Sequence, residues 1–274
     1  MRRSVLQLQP NAVIGVVLVG LLLLVIAVGF VWTPYDPIAI DLDHTLAAPS
    51  LAHVLGTDEF GRDVLSRAML GARISGAIAL GVVALAVSAG LALGLMTGFV
   101  GGWLDRSLMI VNDAILAFPG ILLALALMAV LGPSYRSLIL ALSLAYLPSI
   151  VRVVRASVLS VRQREFVEAS KAAGDGPLYT MVRHVLPNAL PPVIVLATSL
   201  FGWAILSESA LSFLGVGIPP PAPTWGNMLS SARPYMEYAE WLGIVPGLCI
   251  AATLLGVNML GDALRDWLDP RRGS

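Results

Sequence analysis

The sequence predicts an all-α polytopic membrane protein: one membrane domain with six transmembrane helices. Three observations carry that prediction. Of the 274 residues, 57% are hydrophobic and only 12% charged, where a soluble domain carries about 25% charged residues. The apolar residues come in long uninterrupted blocks, and a helix needs roughly 20 such residues to cross a bilayer. The basic residues separate by side once those blocks are counted as spans. Seventeen basic and seventeen acidic residues balance to zero, which leaves no electrostatic basis for binding nucleic acid. The single cysteine, Cys249, excludes a disulfide within the chain, and His44, His53 and His184 are scattered without metal-ligand spacing.

The first apolar run, Val13 to Trp32, is longer than a signal-peptide core and lacks a small-residue cleavage site, since Trp32-Thr33-Pro34 follows it. It is expected to be an uncleaved anchor (13–32) behind a short cytoplasmic N-terminus (1–12). Residues 33–73 then form an extracytoplasmic segment, and 74–264 hold five further helices. These are expected at Ile74–Leu104, Ala114–Tyr135, Ser137–Val151, Asn188–Ser207 and Leu242–Gly261. The fourth is short, with Arg152 and Arg155 able to snorkel at its end. Residues 265–274 make a tail. With both termini in the cytoplasm, twelve of the seventeen basic residues lie inside, including Arg2, Arg3, Arg271 and Arg272. Arg62, Arg67, Arg73, Arg136 and Arg233 lie outside. A cytoplasmic loop at 158–187 therefore joins the fourth and fifth helices.

That loop leads into the densest polar and proline-punctuated stretch of the chain, EFVEASKAAGDGPLYTMVRHVLPNALPP at 165–192. Phe166, Ala169 and Ala173 share one helical face, with Glu165, Glu168 and Lys171 on others. Gly174 stands where a helix C-cap tolerates positive φ. Pro177 suits the first turn of a second short helix, expected to end before Pro187 and to carry Leu178, Met181, Val182 and Val185 on its apolar side. The pattern describes a compact two-helix knob. It also fits an amphipathic helix lying on lipid, although such a helix has no need of a glycine bend between two prolines.

Glu168-Ala169-Ser170, then Gly174, then His184-Val185-Leu186-Pro187 resembles the EAA loop of bacterial ABC-importer permeases. Ser170 replaces the usual second alanine and His184 the usual isoleucine. The ending RHVLPNA (Arg183 to Ala189) resembles the peptide-importer branch. LGTDEFGRDVLSR (55–67), SESALSFLGVGIPPPAPTWGNML (207–229) and LGDALRDWLDPR (260–271) are similar to the smaller, six-helix permease of the dipeptide, oligopeptide and nickel importers.

The resemblance implies a type I permease fold in the bacterial inner membrane, forming half of the path for di- or oligopeptides. A nickel chelate or another small solute is the alternative cargo. It implies a second homologous permease chain, two ATP-binding subunits and an extracytoplasmic solute-binding protein as partners. ATP and Mg would be bound by the ATPase subunits, with no cofactor in this chain. Glu168, Ala169, Ser170, Gly174, Leu186 and Pro187 would form the coupling loop, supported by Phe166, Lys171, Arg183 and His184. Asp58, Arg62, Asp63 and Trp225 would serve an outer gate or contact the binding protein.

Other features read structurally. Leu55–Arg73, with acids and arginines alternating, is expected as a solvated amphipathic cap on the bundle. Ala86, Gly90, Gly94 and Gly98 recur every four residues, a small-residue packing seam. Prolines 219, 220, 221 and 223 stiffen an outer turn, with Trp225 as an interfacial anchor. Asp113, Glu208 and Asp262 lie at the edges of apolar runs, positions for capping or helix–helix hydrogen bonds. With no carboxylate or histidine at mid-span, a proton-coupled secondary transporter is disfavoured. A membrane adaptor that only holds a cytoplasmic partner is the other class. No GxxxxGKS or GxxxxGKT occurs, so the chain has no phosphate loop of its own.

Overall fold

A computed structural model describes residues 10–268. The expected cytoplasmic arginines Arg2, Arg3, Arg271 and Arg272 lie outside the described residues. The long helices are α1 (Pro10–Val31), α2 (Val64–Val100), α5 (Tyr135–Val161), α8 (Leu186–Phe213) and α10 (Trp241–Leu268). Between them come α3 (Gly102–Leu116), α4 (Gly120–Leu131), α6 (Glu165–Ala172), α7 (Pro177–Thr180) and α9 (Trp225–Ala232). Among the described residues five helices are long and apolar enough to cross a membrane, and α3 with α4 makes a sixth span if that bent pair counts as one.

The bundle is organised by α2 and α5, its most extensive helix contact. The small-residue seam explains their closeness. A Cβ at Gly90 would sit 2.5 Å from Ile150 Cγ2, one at Gly94 2.5 Å from Val154 Cβ, and one at Gly98 2.8 Å from Val158 Cβ. The expected packing role of these glycines therefore holds along three turns. Around this pair stand α4 and α8, while α10 packs on α8 and α1 lies outermost against α10. Only Gly15 and Gly29 of α1 are fully buried; one face, with Leu22, Val25 and Ile26, packs on the bundle, and the rest is exposed apolar surface, as a lipid-facing helix requires.

Several boundaries differ from the sequence reading, each for a local reason. The segment Val64–Arg73 is the first part of α2 and not a solvated cap. Asp63 caps the helix, accepting from Ser66 N (2.8 Å) and Ser66 Oγ (2.7 Å). The two arginines in its opening turns have partners. Arg67 Nε lies 3.2 Å from Asp58 Oδ2. Arg73 donates to the Gly29 carbonyl of α1 (2.8 Å) and stacks on Phe30 at 3.9 Å. A helix can enter the membrane with charges that are already paired.

The third expected span, Ala114–Tyr135, is broken. Chain direction changes by 89° between α3 and α4, because Pro119 pushes the preceding residue out of the helical region. The fourth, expected to end at Val151, runs ten residues further. Arg155 grips Asp105 of α3 with both nitrogens, at 2.5 and 2.6 Å, and Arg162 donates to Gly98 O of α2 at 2.9 Å. The helices expected to end at Ser207 and Gly261 likewise continue to Phe213 and Leu268. Glu208 is fully buried and accepts from Ser75 Oγ of α2 (3.1 Å) and Ser212 Oγ (2.8 Å), the helix–helix hydrogen bonding anticipated for it. α9 begins at Trp225 with a reciprocal cap between Thr224 and Asn227.

Gly94→Ala is expected to lower stability by about 1–3 kcal/mol, because the neighbouring Val154 Cβ is fixed to its own backbone and cannot swing aside. Gly20→Ala, where nothing lies within 4 Å of the added carbon, is expected to be neutral. Thermal unfolding in detergent compares the two directly.

Candidate functional site

The 165–187 loop is built on two buried valines. Val167 of α6 and Val185 are both 0% exposed, and they join Val161, Ala189 and Val193 in an apolar cluster shared with α5 and α8. The face of α6 that roots the loop is thus Val167 with Ser170, one helical turn apart. The face shared by Phe166, Ala169 and Ala173 is exposed, together with Glu168 and Lys171. An eight-residue helix has room for one inward stripe, and the valine takes it.

The bend after α6 is a Schellman turn. Gly174 N donates to Lys171 O (3.1 Å) and Asp175 N to Ser170 O (3.2 Å). Gly174 adopts φ +88° and has open space where a side chain would go, so its requirement is one of backbone conformation alone. Ser170 Oγ donates to Asp175 Oδ2 at 2.6 Å and lies 3.1 Å from Thr180 Oγ1. Ser170 is 7% exposed and Thr180 is buried completely. The serine that departs from the usual alanine therefore fastens α6 to α7. Neither Asp175 nor Thr180 was singled out from the sequence. The signal was present, an acidic residue directly after the helix-ending glycine and a threonine one turn into the next helix.

Pro177 occupies the first turn of α7 as expected, but the second helix does not stop before Pro187. Residues Met181–Val185 form a π-helical turn that leads without a break into α8. Leu186 N donates to Met181 O, five residues back, and Asn188 Nδ2 donates to His184 O at 2.7 Å. A widened turn and a side-chain donor together carry the helix through a proline that supplies no N–H. Of the four residues expected on the apolar side of the second helix, Val185 is buried, whereas Leu178 and Val182 are 69% and 51% exposed. Phe166 and Tyr179 are exposed as well, so the loop presents several apolar side chains outward, the composition of a protein contact surface. Arg183 and Pro187 are exposed at the base of α8, while His184 and Leu186 are half-buried.

The residues expected to offer outer contacts are turned inward. Asp58, Arg62 and Asp63 are 5%, 8% and 3% exposed. Arg62 Nε donates to Asp58 Oδ2 at 2.7 Å, and Asp63 holds His53 as well as the α2 cap. Burial also raises the Glu59 carboxyl above its ordinary range. Trp225 is 2% exposed and donates its indole N–H to Ala68 O at 3.1 Å. It is an inserted wedge and not an interfacial anchor. The alternating charges were read as solvated because their partners lie within a fold that pairs them internally.

Comparison with known proteins agrees with this geometry. The family described as "Binding-protein-dependent transport system inner membrane component" matches residues 90–274. The dipeptide transport system permease protein DppC of Alkalihalophilus pseudofirmus is 40% identical over all of this chain and 90% of its own length. The di/tripeptide transport system permease protein DppC of Pseudomonas aeruginosa is 43% identical, over 94% of this chain and 88% of its own. The glutathione transport system permease protein GsiD of Escherichia coli is 41% identical, over 92% and 84%. Among solved structures, an inward-facing conformation of the MetNI methionine ABC transporter matches with a TM-score of 0.58 at 20% identity. That match covers 73% of this chain and 94% of the other, a likeness of fold.

Ser170→Ala would leave the Thr180 hydroxyl buried without its partner, a cost of about 1–3 kcal/mol to the closed loop. The expected outcome is faster amide exchange across Ala173–Thr180 with no change in α5 or α8, measured by hydrogen–deuterium exchange.

Proposed function

From the premise that the chain belongs to the family of binding-protein-dependent transport system inner membrane components, we propose that it forms half of an importer's path for di- or oligopeptides. The names of the relatives above support peptide as the cargo class. In this reading a second, homologous permease supplies the other half, two ATP-binding subunits dock on the 165–187 loop, and an extracytoplasmic binding protein delivers the peptide. The termini and the loop face the cytoplasm. ATP and Mg are held by the ATPase subunits, and this chain catalyses no covalent step.

One observation carries the mechanism. The loop passes into α8 through continuous helix, and its bend is closed by two Schellman hydrogen bonds and the Ser170 fastener. A stiff knob rooted by Val167 and Val185 cannot be displaced without moving α5 and α8. Closure of two ATPase subunits on ATP would pull the exposed Phe166–Glu168–Leu178 surface and rock the bundle outward, and hydrolysis would reset it.

Orientation is tested first. With Cys249 replaced by alanine, Lys171→Cys should be labelled only from the cytoplasmic side and Asp41→Cys only from the outside. Labelling of both from one side would overturn the arrangement.

Coupling is tested by two substitutions. Gly174→Val places a β-branched residue at φ +88°, a strain of about 1–2 kcal/mol, and should tilt or open the bend. Glu168→Lys removes a partner charge at the docking surface, worth about 2–5 kcal/mol if buried on assembly. Both should abolish uptake in proteoliposomes while the chain still inserts, with reduced recovery of the ATPase subunits on copurification. Wild-type uptake and wild-type subunit recovery in both would rule out this loop as the coupling element.

A further inference from the structure

At the end of α1, Arg73 of α2 is held in place without being neutralised. Its guanidinium donates through Nη1 to Gly29 O at 2.8 Å and stacks on the Phe30 ring at 3.9 Å, and neither neighbour carries a formal negative charge. Among the described residues no carboxylate pairs with it, whereas Arg62, Arg67, Arg152 and Arg155 each have one. Its Nε is also the one buried side-chain nitrogen or oxygen among the described residues that lacks a hydrogen-bond partner. A guanidinium presents a planar fork that matches two oxygens of a phosphate or carboxylate. With Nη1 engaged by Gly29, the Nε–Nη2 edge is the fork left over.

The same side chain lines a cavity of about 400 Å³ between α1, α2 and α5, within the range of roughly 300–1,000 Å³ usual for ligand sites. Phe30 stands on the α1 side, Tyr135 and Ile139 on the α5 side, and Ile74, Ala77 and Ile78 of α2 between them. Further along α2 the gap narrows. A Cβ on Gly76 would lie 3.3 Å from Ile26 Cδ1 of α1, and one on Gly81 2.9 Å from Ile139 Cδ1 of α5. The cavity is therefore an apolar pocket with one cation at its edge.

Its depth follows from where the helices end. Gly29 and Phe30 lie in the last turn of α1, and Tyr135 is the first residue of α5. Trp32, just past α1, is 60% exposed and Tyr135 43%, the placement of aromatic rings at a membrane–water boundary. In the orientation proposed above this is the outer leaflet. α1 is the outermost helix, and its exposed side chains include Leu21, Leu24 and Val28, so acyl chains reach the mouth of the cavity.

We propose that the cavity at Arg73 binds one anionic phospholipid, its phosphate on the Nε–Nη2 edge and the upper part of an acyl chain along Ile74, Ala77 and Ile78. The proposal needs the chain to span a membrane and is independent of the cargo. A phospholipid supplies the negative charge and the apolar body together. A free phosphate would leave the apolar wall uncovered, and a zwitterionic headgroup would bring a second cation towards Arg73. The Phe30 ring over the guanidinium is 66% exposed and can turn aside without disturbing the core. Basic pockets between membrane helices recognise lipid headgroups by this same charge matching.

Native mass spectrometry of the assembled transporter in neutral detergent decides it, with dioleoyl phosphatidylglycerol, dioleoyl phosphatidylcholine or glycerol phosphate as the titrant. The wild type should hold one phosphatidylglycerol about fivefold more tightly than phosphatidylcholine, equivalent to ~1 kcal/mol. Ala77→Phe fills the cavity from an exposed position and should retain one phosphatidylglycerol fewer. Arg73→Gln keeps an amide that can donate to Gly29 O and should hold the two lipids equally.

Equal phosphatidylglycerol counts in the wild type and Ala77→Phe overturn the proposal, and that is also the result if the second permease covers this face. Equal affinity of the wild type for the two lipids overturns it as well. Displacement of the lipid by glycerol phosphate at matching concentration would show a plain anion site, with no part for the apolar wall. If Ala77→Phe fails to assemble, Arg73→Gln decides alone, since a fivefold preference that survives without the guanidinium rules the site out.

Discussion

Everything in this bundle leans on the close approach of α2 and α5. Where Gly90, Gly94 and Gly98 meet Ile150, Val154 and Val158, backbone lies almost against side chain. Dispersion between such well-fitted surfaces holds helices together in a bilayer, where lipid tails are as apolar as leucine and the hydrophobic effect gives little. With that pair fixed, α5 offers its other sides to α3, α4 and α8. The apolar cluster that roots the loop, Val161, Val167 and Val185, is the continuation of the same interface beyond the seam. The position of the loop is therefore set by glycines far from it in sequence.

Charge then serves as fastening between elements that apolar packing has already placed. Arg73 satisfies a carbonyl at the end of α1, Arg162 one near the end of α2, and Arg155 binds α3 to α5. Helix ends leave carbonyls without intrahelical partners, and a guanidinium can reach them from a neighbouring helix. The Asp58–Arg62–Arg67 group does the same work for the 33–63 segment, where Gly61 at φ +73° passes so close to the Asp41 carbonyl that no side chain would fit. These contacts explain why the outer segment folds against the bundle instead of standing off it as a solvated cap.

Much of this was legible in the sequence, and the remainder divides by range of interaction. Periodicity and spacing are local, so the apolar runs, the Gly90–Gly94–Gly98 seam, the bend at Gly174 and the start of α7 at Pro177 could be read directly. Helix ends were misplaced wherever an arginine was taken to mark the water boundary. Arg152 and Arg155 are each paired with a carboxylate distant in sequence, and single-chain patterning carries no sign of the partner. In the loop, Phe166, Ala169 and Ala173 do share a face, but Val167 and Ser170 offer a second, and periodicity cannot say which of the two turns inward. Proline marks the end of a helix only when nothing replaces the lost hydrogen bond, and at Pro187 a π-turn and Asn188 do so.

The two ends of the bundle consequently differ in mechanical character. At one end Trp225 is wedged against Gly71, Glu208 ties α8 to Ser75 of α2, and Gly226 lies against the Ser209 backbone with no room for a β-carbon. A displacement there must move α2, α8 and α9 together. At the other end the knob is stiff within itself and joined to the bundle along α5 and α8, with Phe166, Leu178, Tyr179 and Val182 exposed on its outer side. A force applied to that side meets no hinge before α8, since the π-turn keeps the hydrogen-bonded helix unbroken. Its effect is a rotation of packed helices as a unit.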